Sequence, residues 1–363
     1  MYRPDQPHND LPPIPVEKLE TQATLKQAIA ASRNLTALQA AGPLVPNQVV
    51  LLRAILLQEA RASSEIENVV TTSDALYRAL DFDPEYSDPQ TREVLRYGEA
   101  LWHGYHDLKS GHPIRPSLVV ELAKILKGAD IEIRALPGCQ IVNDRTQEVI
   151  YTPPVGRERI LSMLDDLCRF LAEDRSVDPL IAMAAAHRQF EAIHPFPDGN
   201  GRTGRVLNIL ALIQQRLLNV PVLYLSWYIL REKPEYYRLL RRVTEEDDWE
   251  SWILFMLKAV ESTAHMTLEM LHRVYNEVER AVDVARRGMQ RRFKHELIET
   301  VFARPYTRIC HLENVGIAKR NTASAYLREL ERLGILKSIK YGRERLFLNL
   351  RLLNALSLEP SVD

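Results

Sequence analysis

The stretch that most limits what this chain can become runs from Phe190 to Arg205: F-E-A-I-H-P-F-P-D-G-N-G-R-T-G-R. Pro195 ends whatever helix leads into it, and the apolar run Val206-Leu-Asn-Ile-Leu-Ala-Leu-Ile213 reads as a second helix immediately after it. Gly199-Asn200-Gly201 therefore forms the mouth of that helix. Glycines let backbone N–H groups approach an anion, and the helix N-terminus adds a favourable dipole. Arg202 and Arg205 lie three apart, on one helical face, and guanidinium forks suit phosphate. Asp198 is a hard oxygen ligand of the kind Mg2+ takes beside nucleotide phosphates. His194 is the one group here whose ordinary pKa suits general-base work near neutrality, and Glu191 is a candidate for orienting it. Taken singly, these residues have plainer readings: a capped turn, a solvated arginine pair, a structural histidine. Their concurrence between His194 and Arg205 argues for a site that holds a polyphosphate and removes a proton beside it.

The pattern H-P-F-x-D-G-N-G-R-x-x-R, filled here at every fixed position, resembles the signature of the Fic family. The resemblance implies a mainly α protein, with a Fic-type helical core, a small β-hairpin flap and a C-terminal winged helix-turn-helix domain. It also implies transfer of AMP from ATP to a Ser, Thr or Tyr hydroxyl of a target protein, or of the enzyme itself, with release of pyrophosphate. On that reading His194 is the base and Asp198 holds Mg2+. ATP is bound by Gly199, Asn200, Gly201, Arg202, Thr203, Gly204 and Arg205, and Tyr237 resembles the family position near the nucleoside. Upstream, Ser63-x-x-x-Glu67-Asn68 resembles the family's inhibitory motif, S/T-x-x-x-E-G/N. Its glutamate is expected on Arg205, in the fork that would take the ATP γ-phosphate. A homodimer is the family-based expectation.

Around this centre the chain reads as helices. Residues 1 to about 20, rich in Pro and Asp, suggest an arm on the surface; a break is expected at Gly42-Pro43 and a helix over Val49–Ala60. Further helices are expected from Glu93 to Lys109, from Leu118 to Leu126 with Ser117 as cap, and from Arg157 and Pro179 onward. Gln140–Val142 and Glu148–Tyr151 flank a turn-rich tetrapeptide and read as a hairpin; it resembles the Fic flap, which implies that a target segment adds to its edge as a strand. His187 precedes His194 by seven with no H-E-x-x-H, so a structural histidine is the better reading than a zinc ligand. Trp249–Glu261 and Leu268–Arg287 are expected as two helices, the second connecting domains. The expected division is 1–115, an N-terminal region with the inhibitory motif; 116–265, the catalytic core; 266–290, a connecting helix; and 291–363, the winged helix.

With 363 residues and a net charge of −1, the chain as a whole is no electrostatic binder of nucleic acid or membrane. Residues 291–351 differ, holding 14 Lys/Arg against 6 Glu, which leaves both DNA binding and protein docking open there. Cys139, Cys168 and Cys310 show no C-x-x-C spacing, and no apolar signal core begins the chain; the expectation is a cytoplasmic protein, with no membrane partner. Two rivals stand beside the adenylyltransferase reading. One is a transferase of the same fold using another nucleotide. The other is a non-enzymatic, nucleotide-sensing DNA-binding regulator.

Overall fold

The computed structural model describes residues 2–41, 48–81, 88–143, 146–173, 176–341 and 344–356. Six helices come first: α1 (Val16–Leu19), α2 (Gln22–Ala41), α3 (Gln48–Ile66), α4 (Ser73–Asp81), α5 (Pro89–Lys109) and α6 (Pro116–Lys127). The hairpin β1 (Ile141–Val142) and β2 (Val149–Tyr151) follows, then α7 (Arg157–Glu173), α8 (Pro179–Ile193), α9 (Asn200–Gln214), α10 (Leu225–Arg231), α11 (Lys233–Glu246) and α12 (Trp249–Met289). The chain ends with α13 (His295–Phe302), β3 (Tyr306–Thr307), α14 (Ile309–Asn314), α15 (Arg320–Arg332), β4 (Lys337–Tyr341), β5 (Glu344–Leu348) and α16 (Leu350–Leu356). The break read at Gly42-Pro43 and the turn centres Asp144-Arg145 and Gly342-Arg343 lie outside the described residues.

Two compact units form. The first comprises Met1–Thr36, Leu56–Thr71 and Asp88–Ala264; the second comprises Ala37–Ile55, Thr72–Ser87 and His265–Asp363. The boundary read at 115/116 falls inside the first unit.

The first unit is built around α8 and α9. Both are buried on nearly every side, polar residues included, and α9 is packed by α5, α6 and α8, the position such a helix requires. Ala184, Ala185 and Ala186 keep α8 slim, and the fully buried Trp252 donates from Nε1 to the Ala184 carbonyl at 2.8 Å. Helix α5 starts at Pro89, four residues before the sequence reading, because Asp88 caps it by accepting from Thr91 N–H. Helix α6 likewise begins at Pro116, with Arg115 as the cap position instead of Ser117. The two segments read as flanking a turn do pair antiparallel, with Ile141 opposite Tyr151. The N-terminal arm is pinned to β2 and α8: His8 N–H donates to Thr152 O at 2.9 Å, and Gln189 Nε2 to Pro12 O at 2.8 Å.

One expectation fails. The two helices read at Trp249–Glu261 and Leu268–Arg287 are a single helix, α12. The intervening Ser262-Thr-Ala-His-Met-Thr267 has low helix propensity but no Gly or Pro, and the buried Thr263 returns its hydroxyl to Ala259 O at 2.6 Å. The buried face then runs on without a break through Val260, Ala264, Met270, Leu271, Val274 and Val278.

In the second unit, α13, α14 and α15 accompany an antiparallel sheet of order β3-β5-β4, the elements expected of a winged helix. Helix α16 was not read from the sequence. The fully buried Asn349 starts it, accepting from Leu352 N–H while donating to Val301 O. Among the described residues the three cysteines are free, and no helix is long and apolar enough to cross a membrane.

Candidate active site

Helix α8 ends at His194, whose left-handed backbone (φ 47°) turns the chain out of the helix. That conformation costs a non-glycine residue about 1–2 kcal/mol, and one arginine holds it in place. Arg134 Nε donates to His194 O at 2.7 Å, and Nη2 to Pro154 O and Ile193 O at 3.0 and 3.3 Å. The Arg134 N–H also reaches Pro195 O at 2.9 Å. Asn200 then locks the rest of the loop, its amide accepting from Phe196 N–H (2.9 Å) and donating to Phe196 O (2.7 Å). Gly199, at φ 84°, caps α9. Base and helix mouth are thus carried on one fixed loop.

Helix α3 engages the Nε and Nη2 edge of Arg205. This guanidinium is 1% exposed; Nε donates to Ser63 Oγ at 2.8 Å, and Nη2 to Ser63 O at 2.9 Å and Glu67 Oε1 at 2.8 Å. Ser63 and Glu67 sit one turn apart, so one helix face presents both. The helix is stopped at that point by Asn68 (φ 62°): Asn68 N–H bonds Glu65 O and Val69 N–H bonds Ser64 O, a Schellman ending. Asn68 therefore acts through the backbone, fixing Glu67 at the helix end. Lys233 Nζ takes the free Ile66 carbonyl at 2.6 Å. Gly201 gives Glu67 room, since a Cβ there would lie 2.3 Å from Glu67 Oε1.

Burial pushes the Glu67 carboxyl up, but Arg205, with Arg202 and Lys233 behind it, outweighs burial and holds it below its ordinary value. For Arg205 burial works against the charge, and Glu67 more than restores it. Two turns before Glu67 on α3, the buried Glu59 accepts from Tyr97 OH (2.9 Å), Ser226 N–H (2.8 Å) and Ser226 Oγ, fastening α3 to α5 and α10.

Arg202 is equally buried and pairs with Glu93 of α5. Asp198 stays exposed on the loop, where Lys127 Nζ meets Oδ2 at 2.5 Å and Arg202 Nη2 lies 3.8 Å from Oδ1. Burial raises its carboxyl, and Lys127 and Arg202 bring it below its ordinary value. Among the described residues no three His, Cys, Asp or Glu gather as a metal cage. A single carboxylate on an open loop suits an ion that keeps mostly water and phosphate ligands, which is the way Mg2+ binds.

Burial, then Arg134, lowers the His194 pKa to about 4, so the ring is neutral at neutral pH. The Glu191 backbone carbonyl stands beside that ring. The Glu191 carboxyl points elsewhere: Oε1 is buried without a hydrogen-bond partner beside Gly204, and burial raises the group to about 7. His187 is structural, as read. It is buried, bonded through Nε2 to Tyr236 OH at 2.8 Å, stacked on Trp252, and lowered by burial to about 3.

The structure therefore gathers His194, Asp198, Gly199, Asn200, Gly201, Arg202 and Arg205 with Ser63 and Glu67. Thr203 spends its hydroxyl on Gly199 O (2.8 Å), and Gly204 faces Phe190, His187 and Glu191 of α8, so both serve packing behind the mouth. Tyr237 lies on α11 with 44% of its surface exposed and its ring edge-on to the buried Tyr236. Sequence reasoning missed Arg134, Lys127, Glu93 and Glu59. Each is an ordinary charged residue in its own neighbourhood, and only the fold gives it a partner.

Three stretches match known families: residues 25–106 the Fic/DOC family N-terminal region, residues 114–212 the Fic/DOC family, and residues 278–352 the C-terminal domain of SoFic-like protein adenylyltransferase. A probable protein adenylyltransferase of Aquifex aeolicus is 38% identical over 76 residues, 20% of this chain and 24% of that one. Protein adenylyltransferase fic-1 of Caenorhabditis elegans is 32% identical over 112 residues, 30% of this chain and 21% of that one. The chain thus spans about a quarter or less of these relatives' length. The crystal structure of a Fic family protein from Desulfovibrio desulfuricans superposes with a TM-score of 0.60 at 20% identity, covering 91% of this chain and 96% of that one. Fic-1 of C. elegans superposes with a TM-score of 0.51 at 22% identity, covering 67% and 73%; both share the fold.

Proposed function

Because this chain belongs to the Fic/DOC family, we propose that it is a protein adenylyltransferase, held at rest by Glu67. The observation that carries the reading is the joining of a neutral His194 to the anion-binding mouth of α9 by one loop fixed from both ends.

His194 Nδ1 is sealed from solvent, and the Glu191 carbonyl beside the ring suits an Nδ1–H tautomer, so Nε2 is the accepting atom. The hydroxyl of a target Ser, Thr or Tyr gives its proton to Nε2 while its oxygen attacks the α-phosphorus of ATP. The bond from that phosphorus to the α–β bridging oxygen breaks, and pyrophosphate leaves with its electron pair. Phosphate charge entering beside the ring raises its pKa and makes it a better acceptor. The N–H groups of α9 and the Arg202 and Arg205 forks hold the phosphates and meet the growing charge. Asp198 would hold Mg2+, which supplies charge neutralisation to the phosphates once Lys127 gives way.

In the resting state Glu67 occupies the Arg205 fork, so a γ-phosphate must compete with it. Intact-mass spectrometry after incubation with ATP and Mg2+ tests the whole reading. Glu67→Gly should acquire an AMP adduct that Glu67→Gly/His194→Ala lacks. An adduct that survives loss of His194 removes the base from the account, and adduct formation only with GTP, UTP or CTP gives the site to another nucleotide.

A further inference from the structure

The second unit carries a surface that nucleotide transfer does not use. Helix α14 is joined to α15 through residues 315–319, with Gly316 at φ 74° and Ile317 N–H returning to Leu312 O at 3.0 Å. This is a helix-turn-helix, in which the second helix is free on one side. The exposed positions of α15, beside a half-buried Tyr326, are Arg320, Asn321, Thr322, Ala325, Arg328 and Arg332. None is an apolar residue larger than alanine, and a protein interface would call for aromatic or long aliphatic anchors there. The helix holds two acids, and both are engaged. Glu329 is paired with Arg332 at 2.7 Å, and Glu331 Oε1 accepts from Ser338 N–H of β4 at 2.9 Å. The exposed face thus keeps a surplus of positive charge: among the described residues Glu331 is the acid facing Arg328, and it is already bonded to Ser338, while no ion pair is formed by Arg320.

The wing makes a second, independent point. Strands β4 and β5 pair with Lys340 directly opposite Arg345, and both side chains are exposed. Like charges across a strand pair repel and weaken the hairpin, and here the repulsion is offset only in part, by Arg345 donating to Ser338 Oγ at 3.4 Å and facing Glu331. Such a pair becomes favourable once a polyanion lies across it.

We propose that α15 and the β4–β5 wing form a binding surface for duplex DNA. Helix α15 enters the major groove, and Lys319, Arg320, Lys340 and Arg345 meet phosphates. The short Thr322 and Ala325 let the helix approach closely, so that Asn321 and Arg328 reach base edges, where their forks suit adenine and guanine.

The test is fluorescence anisotropy of the full chain with a labelled random-sequence duplex at two salt concentrations. Four phosphate contacts release counterions with a log–log slope of roughly −0.9 each, so affinity should fall about a hundredfold between 50 and 200 mM salt. Lys340→Ser/Arg345→Ser should take about two contacts out of that slope while leaving the melting temperature unchanged or higher, the reverse of what a purely structural pair would show. Asn321→Ala should leave random-duplex binding unchanged and broaden the sites recovered by selection from a random library. A folded protein that binds no duplex at 50 mM salt overturns the proposal, and so does binding that ignores both the wing pair and Arg320→Ala/Arg328→Ala. If sedimentation instead shows self-association lost in Arg320→Ala/Arg328→Ala, the face is a protein-docking surface and the DNA assignment fails.

Discussion

Glu67→Ala puts the resting contact to a quantitative test. The Arg205 side chain is 1% exposed, whereas that of Glu67 keeps 34% of its surface. Loss of a hydrogen bond to a charged group costs about 1.5–3 kcal/mol when the remaining partner stays dry. Solvent at Glu67 screens part of that, and the two bonds from Arg205 to Ser63 persist, so the expected loss is about 1–2 kcal/mol. For a unit of this size each kcal/mol moves the melting temperature by about 2–4 °C, so the variant without nucleotide should melt about 2–8 °C lower. ATP should close that gap, because a γ-phosphate takes the place of the carboxylate and no longer has to displace it. ADP, lacking that phosphate, should stabilise both proteins alike. Glu67→Gln, which keeps an acceptor and drops the charge, should fall between. The assay is differential scanning fluorimetry across ATP and ADP titrations. An ATP-induced shift equal in wild type and Glu67→Ala would refute the competition, whatever the activity of the variant.

Asn68→Gly should be neutral, while Asn68→Val, a β-branched residue at φ 62°, should cost about 1–2 kcal/mol, loosen the end of α3 and raise self-modification in the intact-mass assay. Lys127→Ala should lower the Mg2+ concentration needed for half-maximal rate, since Asp198 then loses its competing cation. His187, lowered from 6.5 to about 3, contributes stability that is fully present above pH 6.5 and is lost as pH falls toward 3. His187→Gln keeps a donor for Tyr236 and removes that titration, so the fall in unfolding free energy, read from urea titrations below pH 6.5, should flatten by up to about 1.4 kcal/mol per pH unit.

The helical fold was legible because its main signals are local. The prolines and glycines around 195–201 punctuate the chain, and α9 is apolar enough to place itself in the core. The site was legible for a related reason: His194 to Arg205 lie within one loop and two helical turns, so their spacing in sequence is nearly their arrangement in space. What lay hidden was each long-range partner. Arg134 stands sixty residues before the carbonyl it holds, and Glu93 more than a hundred before Arg202. Nothing in R-A-L-P-G or Q-T-R-E-V says so. The fusion of two expected helices into α12 has another cause, since weak propensity through residues 262–267 is overridden by a buried face that continues across them.

Arg134 has one more consequence. Its guanidinium hangs from Pro154, the continuation of β2, and from Ile193 and His194, the last turn of α8. If the hairpin receives the target segment, as the resemblance implies, that segment would bear on the same fork that sets the backbone of the base. Under the proposed mechanism, hairpin and histidine behave as two ends of a lever with Arg134 as its pivot. A poorly seated target is then rejected through misplacement of the base, before any phosphorus–oxygen bond forms.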